Sequence, residues 1–140
     1  MRLVVDASIA IKLYVAEPDS QIARSWLQGH GPLFTPDLFF VEVGQALLRH
    51  HREGRLPLTM VKAALTELAG ITEAPAPAAG LLPRALDLAA PLVHGLHDCL
   101  YLALAERLSC PLLTADAKLA GKVERALLPI SIEPLTDRPE

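Results

Sequence analysis

The sequence is poor in the features that define several common classes of protein. Only 4% of its 140 residues are aromatic, so side chains that could stack on nucleic-acid bases are scarce. No apolar run reaches the roughly 18 residues that a membrane-spanning helix needs, and Asp6 interrupts the first apolar run of the chain. The sequence therefore predicts neither a membrane-spanning segment nor a signal peptide.

Cysteine is scarce as well. The chain has two cysteines, Cys99 and Cys110, whose spacing fits neither a disulfide framework nor a zinc site. Both lie in apolar stretches. We therefore expect two buried, reduced thiols in a cytoplasmic protein.

Neither acidic nor basic residues are in large excess, because 16 acidic and 13 basic residues give a formal net charge of −3. A slightly acidic average argues weakly against nucleic acid as a partner, since phosphate contacts require Lys and Arg. If four acids belong to one metal site, 12 (16 − 4) remain against the 13 basic residues. The basic residues are concentrated in RHHREGR at 49–55 and around Lys118, Lys122 and Arg125.

The composition, 51% apolar and 21% charged, is typical of a globular chain, and the length predicts a single domain over residues 1–140. Short apolar segments predict strands, and longer segments with helical periodicity lie between them. Strands are expected at 3–5, 32–36, 71–75, 111–116 and 130–135, and helices at 7–17, 19–30, 36–53, 58–70, 81–90, 97–108 and 117–124. This alternation predicts an α/β fold, a three-layer α/β/α sandwich with a central parallel sheet.

Two acidic residues follow predicted strands directly. Asp6 comes after LVV, and Asp116 is the last residue of the strand predicted at 111–116. In a parallel sheet the carboxyl ends of the strands meet at one edge, where binding sites lie. Each of these residues is also a good N-cap for the helix that follows it, and capping is the simpler interpretation of either one alone.

Two further acids occupy apolar surroundings. Glu42 interrupts LFFVEVGQALL at 38–48, and Asp98 opens the very apolar helix at 97–108. Taken singly, Glu42 is a helix-surface residue and Asp98 is a helix cap. Carboxylates about 4 Å apart repel each other by roughly 1–4 kcal/mol, so a cluster of four needs a cation or protons. Oxygen ligands without His or Cys favour Mg²⁺ or Mn²⁺ over zinc.

Three stretches, in this order, resemble the PIN-domain family, in particular the VapC toxins of toxin–antitoxin pairs. They are VVDASIAIKLYVAE, PDLFFVEVGQALLRH and HDCLYLALAERLSCPLLTADAKLAGK. The resemblance implies a Mg²⁺- or Mn²⁺-dependent endoribonuclease, with RNA as substrate and a cognate antitoxin as partner. It assigns the catalytic and metal-binding roles to four acids and a supporting role to two hydroxyl residues, namely Asp6, Glu42, Asp98 and Asp116, and Ser8 and Thr114.

Within that site we expect Asp6 and Asp98 to be the core ligands, while Asp116 and Glu42 hold metal-bound water or a second ion. His97 is left outside the site, because an exposed histidine at a helix start is common. The apolar helix at 97–108 predicts an interior position or an interface, and from such an interface we expect a homodimer. Because no apolar run is long enough to span a bilayer, no membrane is expected as a partner. Two alternatives stay open: a non-catalytic PIN-like module that binds RNA or protein, and an aspartyl-phosphate phosphotransfer protein.

Overall fold

The computed structural model describes residues 2–28 and 30–135. In this part of the chain strands and helices alternate as the sequence predicts. The elements are β1 (Leu3–Val5), α1 (Ala7–Ile11), α2 (Ser20–Leu27), β2 (Leu33–Phe34), α3 (Leu38–Arg52), α4 (Leu58–Ile71), α5 (Ala78–Leu92), α6 (Leu96–Leu108), β3 (Leu112–Thr114), α7 (Ala117–Arg125) and β4 (Ile132–Pro134).

The four strands form one parallel sheet in the order β2-β1-β3-β4. Val4 lies opposite Phe34 on one side and Leu112 on the other. Because β1 and β3 are parallel neighbours, the residues that follow them lie at the same edge of the sheet. This edge carries the acidic residues described below.

The sheet is covered on both faces, as successive residues of β1 show. Leu3 and Val5 pack into an apolar cluster with Ala23 and Trp26 of α2. Val4 points to the opposite face, into a larger cluster to which α3, α4, α5, α6 and α7 contribute. Side chains alternate between the faces of a strand, so both faces of the sheet are apolar and covered. The predicted three-layer α/β/α sandwich with a parallel sheet is confirmed.

Helix α6 runs through the larger cluster, and its residues 99–105 are all buried. The predicted interior position of this helix is confirmed, and both free cysteines, Cys99 and Cys110, are buried as expected. The apolar side chains of α6 are thus covered by the chain itself. In the described part of the chain no single helix is long and apolar enough to cross a membrane, although α5 and α6 would meet those criteria as a pair bent by 117°.

Helix α1 is shorter than predicted, since it ends at Ile11 rather than at residue 17. The following residues form a compact turn held by side chains. Buried Lys12 forms ion pairs with Glu17 and Asp19, and the Ser20 hydroxyl accepts a hydrogen bond from the Glu17 N–H at 2.9 Å. Side-chain hydrogen bonds of this kind compete with helix continuation.

Helix α5 begins three residues earlier than predicted, at Ala78, so Pro83 lies inside the helix rather than in its first turn. The cause is a cap from another segment: a side-chain oxygen of Asp37 accepts a hydrogen bond from the Ala78 N–H at 3.0 Å. The segment at 71–75, predicted as a strand, contributes only a single bridge, between Leu33 and Thr72.

Candidate active site

Asp6 lies at the carboxyl end of β1, with 7% of the residue exposed. One of its carboxylate oxygens accepts a hydrogen bond of 2.7 Å from the Thr114 hydroxyl at the end of β3. The other oxygen faces the Ser8 N–H at 3.4 Å. Neighbouring parallel strands therefore deliver a carboxylate and the hydroxyl that holds it to one point.

Asp116 lies two residues after β3 and caps α7. Its Oδ1 accepts hydrogen bonds from the N–H groups of Lys118 at 3.0 Å and Leu119 at 3.1 Å. Its own N–H donates to the Thr114 hydroxyl oxygen at 3.1 Å. Thr114 thus bridges Asp6 and the backbone of Asp116. The second predicted supporting residue, Ser8, accepts a hydrogen bond from the Ala115 N–H at 3.3 Å, which joins the loop after β3 to α1.

Asp98 lies in the first turn of α6, but it does not cap that helix, because Gly95 is the N-cap and no side-chain cap is formed. Its Oδ2 instead lies 2.8 Å from Nε2 of His94, which precedes the helix. The same Nε2 lies 3.2 Å from Oδ2 of Asp116. The structure thus places one imidazole nitrogen between two of the predicted carboxylates.

Glu42, on α3, is half-buried, and its Oε1 accepts a hydrogen bond of 2.7 Å from the hydroxyl of Tyr101 on α6. Tyr101 is only 1% exposed. Burial and the hydrogen bond to Glu42 raise the pKa of this phenol far above its usual range. Tyr101 therefore remains protonated and serves as a fixed donor to Glu42.

Burial raises the pKa of Asp6 from 3.8 to about 6. The carboxylates of Asp98 and Glu42 act in the same direction, and the hydrogen bonds from Thr114 and the Ser8 N–H oppose them. Desolvation and nearby like charge both disfavour the ionised form of a carboxyl group. The position of Asp6 is thus one at which a cation would be strongly favoured.

The predicted acids fall into two groups. Asp98 and Asp116, with His94, each offer a ligand atom, and these atoms lie within 4.8 Å of one another. Asp6 and Glu42 lie outside this group. The charges of Glu42 and Asp98 are nevertheless close enough to Asp6 to raise its pKa. The donors are mostly carboxylate oxygens, which fit a hard divalent cation such as Mg²⁺ or Mn²⁺. The four ligands expected from the sequence include no histidine, and the structure places His94 in contact with two of them.

The capping interpretation and the site interpretation are compatible for two of the acids. Asp6 and Asp116 do accept hydrogen bonds from helix N-termini. A carboxylate has about four acceptor positions, so such bonds leave oxygen lone pairs for a metal ion. For Asp98 the structure removes the capping interpretation.

Two side chains in contact with the predicted acids, His94 and Tyr101, were not found from the sequence as members of the site. Nor was Lys122, which contacts His94. The Lys122 ammonium donates to the Val93 carbonyl at 2.7 Å and lies 3.2 Å from Nδ1 of His94. His94 and Asp98 are four residues apart, a spacing that is visible in the sequence. This spacing does not indicate a contact from the sequence alone, because His94 precedes α6 rather than lying on the same helix as Asp98.

A parallel α/β/α sandwich with carboxylates gathered at the carboxyl end of its central strands defines a class of proteins whose sites suit divalent cations and phosphate groups. Comparison with known proteins gives the family within that class. The PIN-domain family model matches residues 3–124. The chain belongs to the PIN-domain family, and its relatives identify the VapC type within it.

Ribonuclease VapC3 of Pyrobaculum aerophilum is 38% identical over 133 residues, which cover 92% of this chain and 100% of the relative. Ribonuclease VapC1 of Mycobacterium tuberculosis is 32% identical over 120 residues, 84% of this chain and 88% of the relative. Among solved structures, VapBC2 from Rickettsia felis, bound to a DNA fragment from their promoter, superposes with a TM-score of 0.68 at 12% identity. That match covers 97% of this chain and 100% of the other, and it supports the fold.

Proposed function

We propose that this protein is a metal-dependent endoribonuclease that cleaves phosphodiester bonds in RNA and acts as the toxin of a toxin–antitoxin pair. The observation that carries the proposal is the buried carboxylate of Asp6, whose raised pKa reflects burial and two neighbouring acids. The relatives at 38% and 32% identity are ribonucleases by name. These relationships support a nuclease over an aspartyl-phosphate phosphotransfer protein.

The metal is proposed to be Mg²⁺ or Mn²⁺, held by Asp6, Glu42, Asp98 and Asp116. When bound, such an ion supplies a water of lowered pKa and stabilises negative charge on the phosphate. In the described residues the acids are held by fixed donors, as Thr114 holds Asp6 and Tyr101 holds Glu42. Ligands held in this way lose little freedom when they bind an ion.

Glu42 is the best-placed candidate to accept a proton from the attacking water. It lies at the wall of a groove that it shares with Gln45 and Arg49 of α3 and with His97. The groove extends from Glu42 along α3 to Arg49, the first residue of the basic segment 49–55, which offers a cation for phosphate. We propose that RNA enters along this groove.

The proposed partners are the RNA substrate, a cognate antitoxin and a second copy of the chain, and the proposed compartment is the cytoplasm. Because α6 is covered by the chain itself, the dimer surface must lie elsewhere. Val41 on α3 is a large apolar side chain beside the groove and is 67% exposed. Light scattering at micromolar concentration is expected to give twice the mass of the chain, and the mass of one chain would contradict the dimer.

The test is cleavage of purified total RNA by metal-free protein supplied with Mg²⁺, Mn²⁺ or EDTA, with mapping of the new RNA ends. The wild type is expected to cut only with metal, and Asp6→Asn is expected to lose cleavage while remaining folded. Asp87→Asn is the matched control, since it makes the same change at an exposed position on α5. RNA binding without cleavage under every metal condition would favour the non-catalytic module.

A further inference from the structure

His94 occupies the loop between α5 and α6, and its side chain is only 10% exposed. The chain turns sharply just before it, where Val93 ends α5 with a φ of 51°. The ring contacts the site with both nitrogens. Nε2 lies 2.8 Å from Asp98 and 3.2 Å from Asp116, while Nδ1 lies 3.2 Å from the Lys122 ammonium.

The partners of the ring determine which nitrogen carries the hydrogen. An ammonium group has three donors and no acceptor, so Nδ1 facing Lys122 must be the acceptor. In a neutral imidazole the other nitrogen is then the donor. Nε2–H accordingly donates to Oδ2 of Asp98 at 2.8 Å. Oδ2 of Asp116 lies 3.2 Å from the same nitrogen, so it too faces the positive end of this N–H group.

We propose that His94 is a positioning residue of the metal site, a fixed Nε2–H donor that holds Asp98 and Asp116 at the separation a divalent cation requires. Lys122 acts through it by fixing the tautomer. This inference rests on the proposed function, because it takes Asp98 and Asp116 to be ligands. It assigns a role to a side chain that carries none in the proposed reaction.

The physical reason is the repulsion between the two carboxylates. Two unit negative charges about 4 Å apart repel by roughly 1–4 kcal/mol, depending on the effective dielectric. A donor that is hydrogen-bonded to Asp98 and lies 3.2 Å from the Asp116 oxygen offsets this repulsion and keeps both oxygens directed to one point. The second oxygen of Asp98 stays available, so the donor need not leave when an ion binds. Removal of a side chain that is hydrogen-bonded to a metal ligand typically weakens metal binding 10- to 100-fold.

Direct ligation of an ion by His94 conflicts with the same geometry. A ligating Nε2 must carry no hydrogen, which would place the hydrogen on Nδ1 and direct it at the Lys122 ammonium. Two donors would then face each other at 3.2 Å. The contacts therefore favour His94 as a donor to the ligands over His94 as a ligand.

The experiment measures Mn²⁺ affinity of the metal-free protein at fixed pH, by the EPR signal of free Mn²⁺, for the wild type and four variants. His94→Leu removes the donor, and His94→Gln keeps an N–H donor and an oxygen that can accept from Lys122. Asp98→Asn removes a proposed ligand. His97→Leu makes the same change beside Asp98 at an exposed histidine.

We expect His94→Leu to bind Mn²⁺ about 10- to 100-fold more weakly, and His94→Gln and His97→Leu to bind about as tightly as the wild type. Wild-type affinity in His94→Leu, alongside loss of binding in Asp98→Asn, would overturn the role of His94 and leave the proposed function intact. If the wild type binds no Mn²⁺, the metal site of the proposed function fails instead. Equal weakening by His94→Gln and His94→Leu would overturn the donor argument.

Two measurements on the unmodified protein keep the inference testable if His94→Leu does not fold. Nitrogen-15 NMR of the metal-free wild type is expected to show His94 as the Nε2–H tautomer, and the Nδ1–H tautomer would overturn the proposal. Pulsed EPR of bound Mn²⁺ is expected to show no coupling to a directly bound imidazole nitrogen. Such a coupling, if it disappears in His94→Leu, would make His94 a ligand and refute the positioning role.

Discussion

Replacing Asp6 by Asn should stabilise the metal-free protein at neutral and alkaline pH while abolishing cleavage. The carboxyl group has a pKa of about 6 in the folded chain, against 3.8 for an exposed Asp. A difference of about 2 units corresponds to roughly 3 kcal/mol of penalty once the group is ionised. Asn has nearly the same shape and carries no charge, so it avoids that penalty.

The hydrogen bonds of Asp6 reduce the expected increase in the free energy of unfolding. Asn keeps one oxygen, which can still accept from the Thr114 hydroxyl, but its amide nitrogen then faces the Ser8 N–H. That mismatch is worth about 1 kcal/mol. The net gain for Asp6→Asn above pH 7 is therefore about 2 kcal/mol, or about 6–8 °C in melting temperature for a chain of this length.

The pH dependence gives the sharper test, and its sign follows from the raised pKa. Between about pH 4 and pH 6 the folded state holds the proton that the unfolded state has released. The contribution of Asp6 to the free energy of unfolding therefore falls as the pH rises through this window, and the penalty is complete above it. At pH 4 the folded wild type is uncharged at this position, as Asn is, so most of the advantage of Asn disappears.

The assay is urea denaturation of both proteins in EDTA at pH 4 and pH 8, with Asp87→Asn as the control for loss of an exposed charge. The stability difference between Asp6→Asn and the wild type should shift by about 2–3 kcal/mol between the two pH values. The control should shift far less. A stability difference that does not change with pH, or a variant less stable than the wild type at pH 8, would refute the assignment of Asp6 as a buried carboxylate with a raised pKa.

The remaining predictions concern the ion and the residues that hold the acids. Mn²⁺ at 100 times its Kd should stabilise the wild type by about 2.7 kcal/mol, seen in thermal melts as a rise of about 8–10 °C, and Asp6→Asn should gain much less. Tyr101→Phe should lower kcat about 10-fold with little change in KM, because Glu42 loses its fixed donor. The control is Tyr14→Phe, which removes a hydroxyl bound to a glutamate away from the site and should leave kcat unchanged. Equal kcat values for the two variants would contradict the role of Tyr101. Thr114→Val should cost about 1–3 kcal/mol in urea denaturation, and it should move the acid limb of the cleavage–pH profile to higher pH, since the Thr114 hydroxyl lowers the pKa of Asp6. An unmoved acid limb would show that this hydroxyl does not act on the catalytic carboxylate.

Local pattern was enough to predict much of the fold. Asp6 and Asp116 each follow an apolar run, and both runs are strands in the structure. The alternation of such runs with helices predicted the parallel sheet between two helical layers. Element ends were predicted less well, because they depend on partners elsewhere in the chain. Asp37 caps α5 from a segment 41 residues away, and nothing in the sequence around Ala78 indicates that contact.

The sequence by itself indicated the four acids proposed for the site, because each has a recognisable place relative to a strand end or a helix. The two hydroxyl residues, and the roles proposed for all six, came from the resemblance to the PIN-domain family. Only the tertiary structure decided what surrounds them. Tyr101 reaches Glu42 across 59 residues. His94 reaches Asp116 across the fold, where Lys122 of α7 donates to the Val93 carbonyl that follows α5. The type and order of the strands and helices follow from local apolar patterns, which a sequence displays. Contacts between side chains on different elements are set by how those elements pack, which the sequence encodes only through the whole fold.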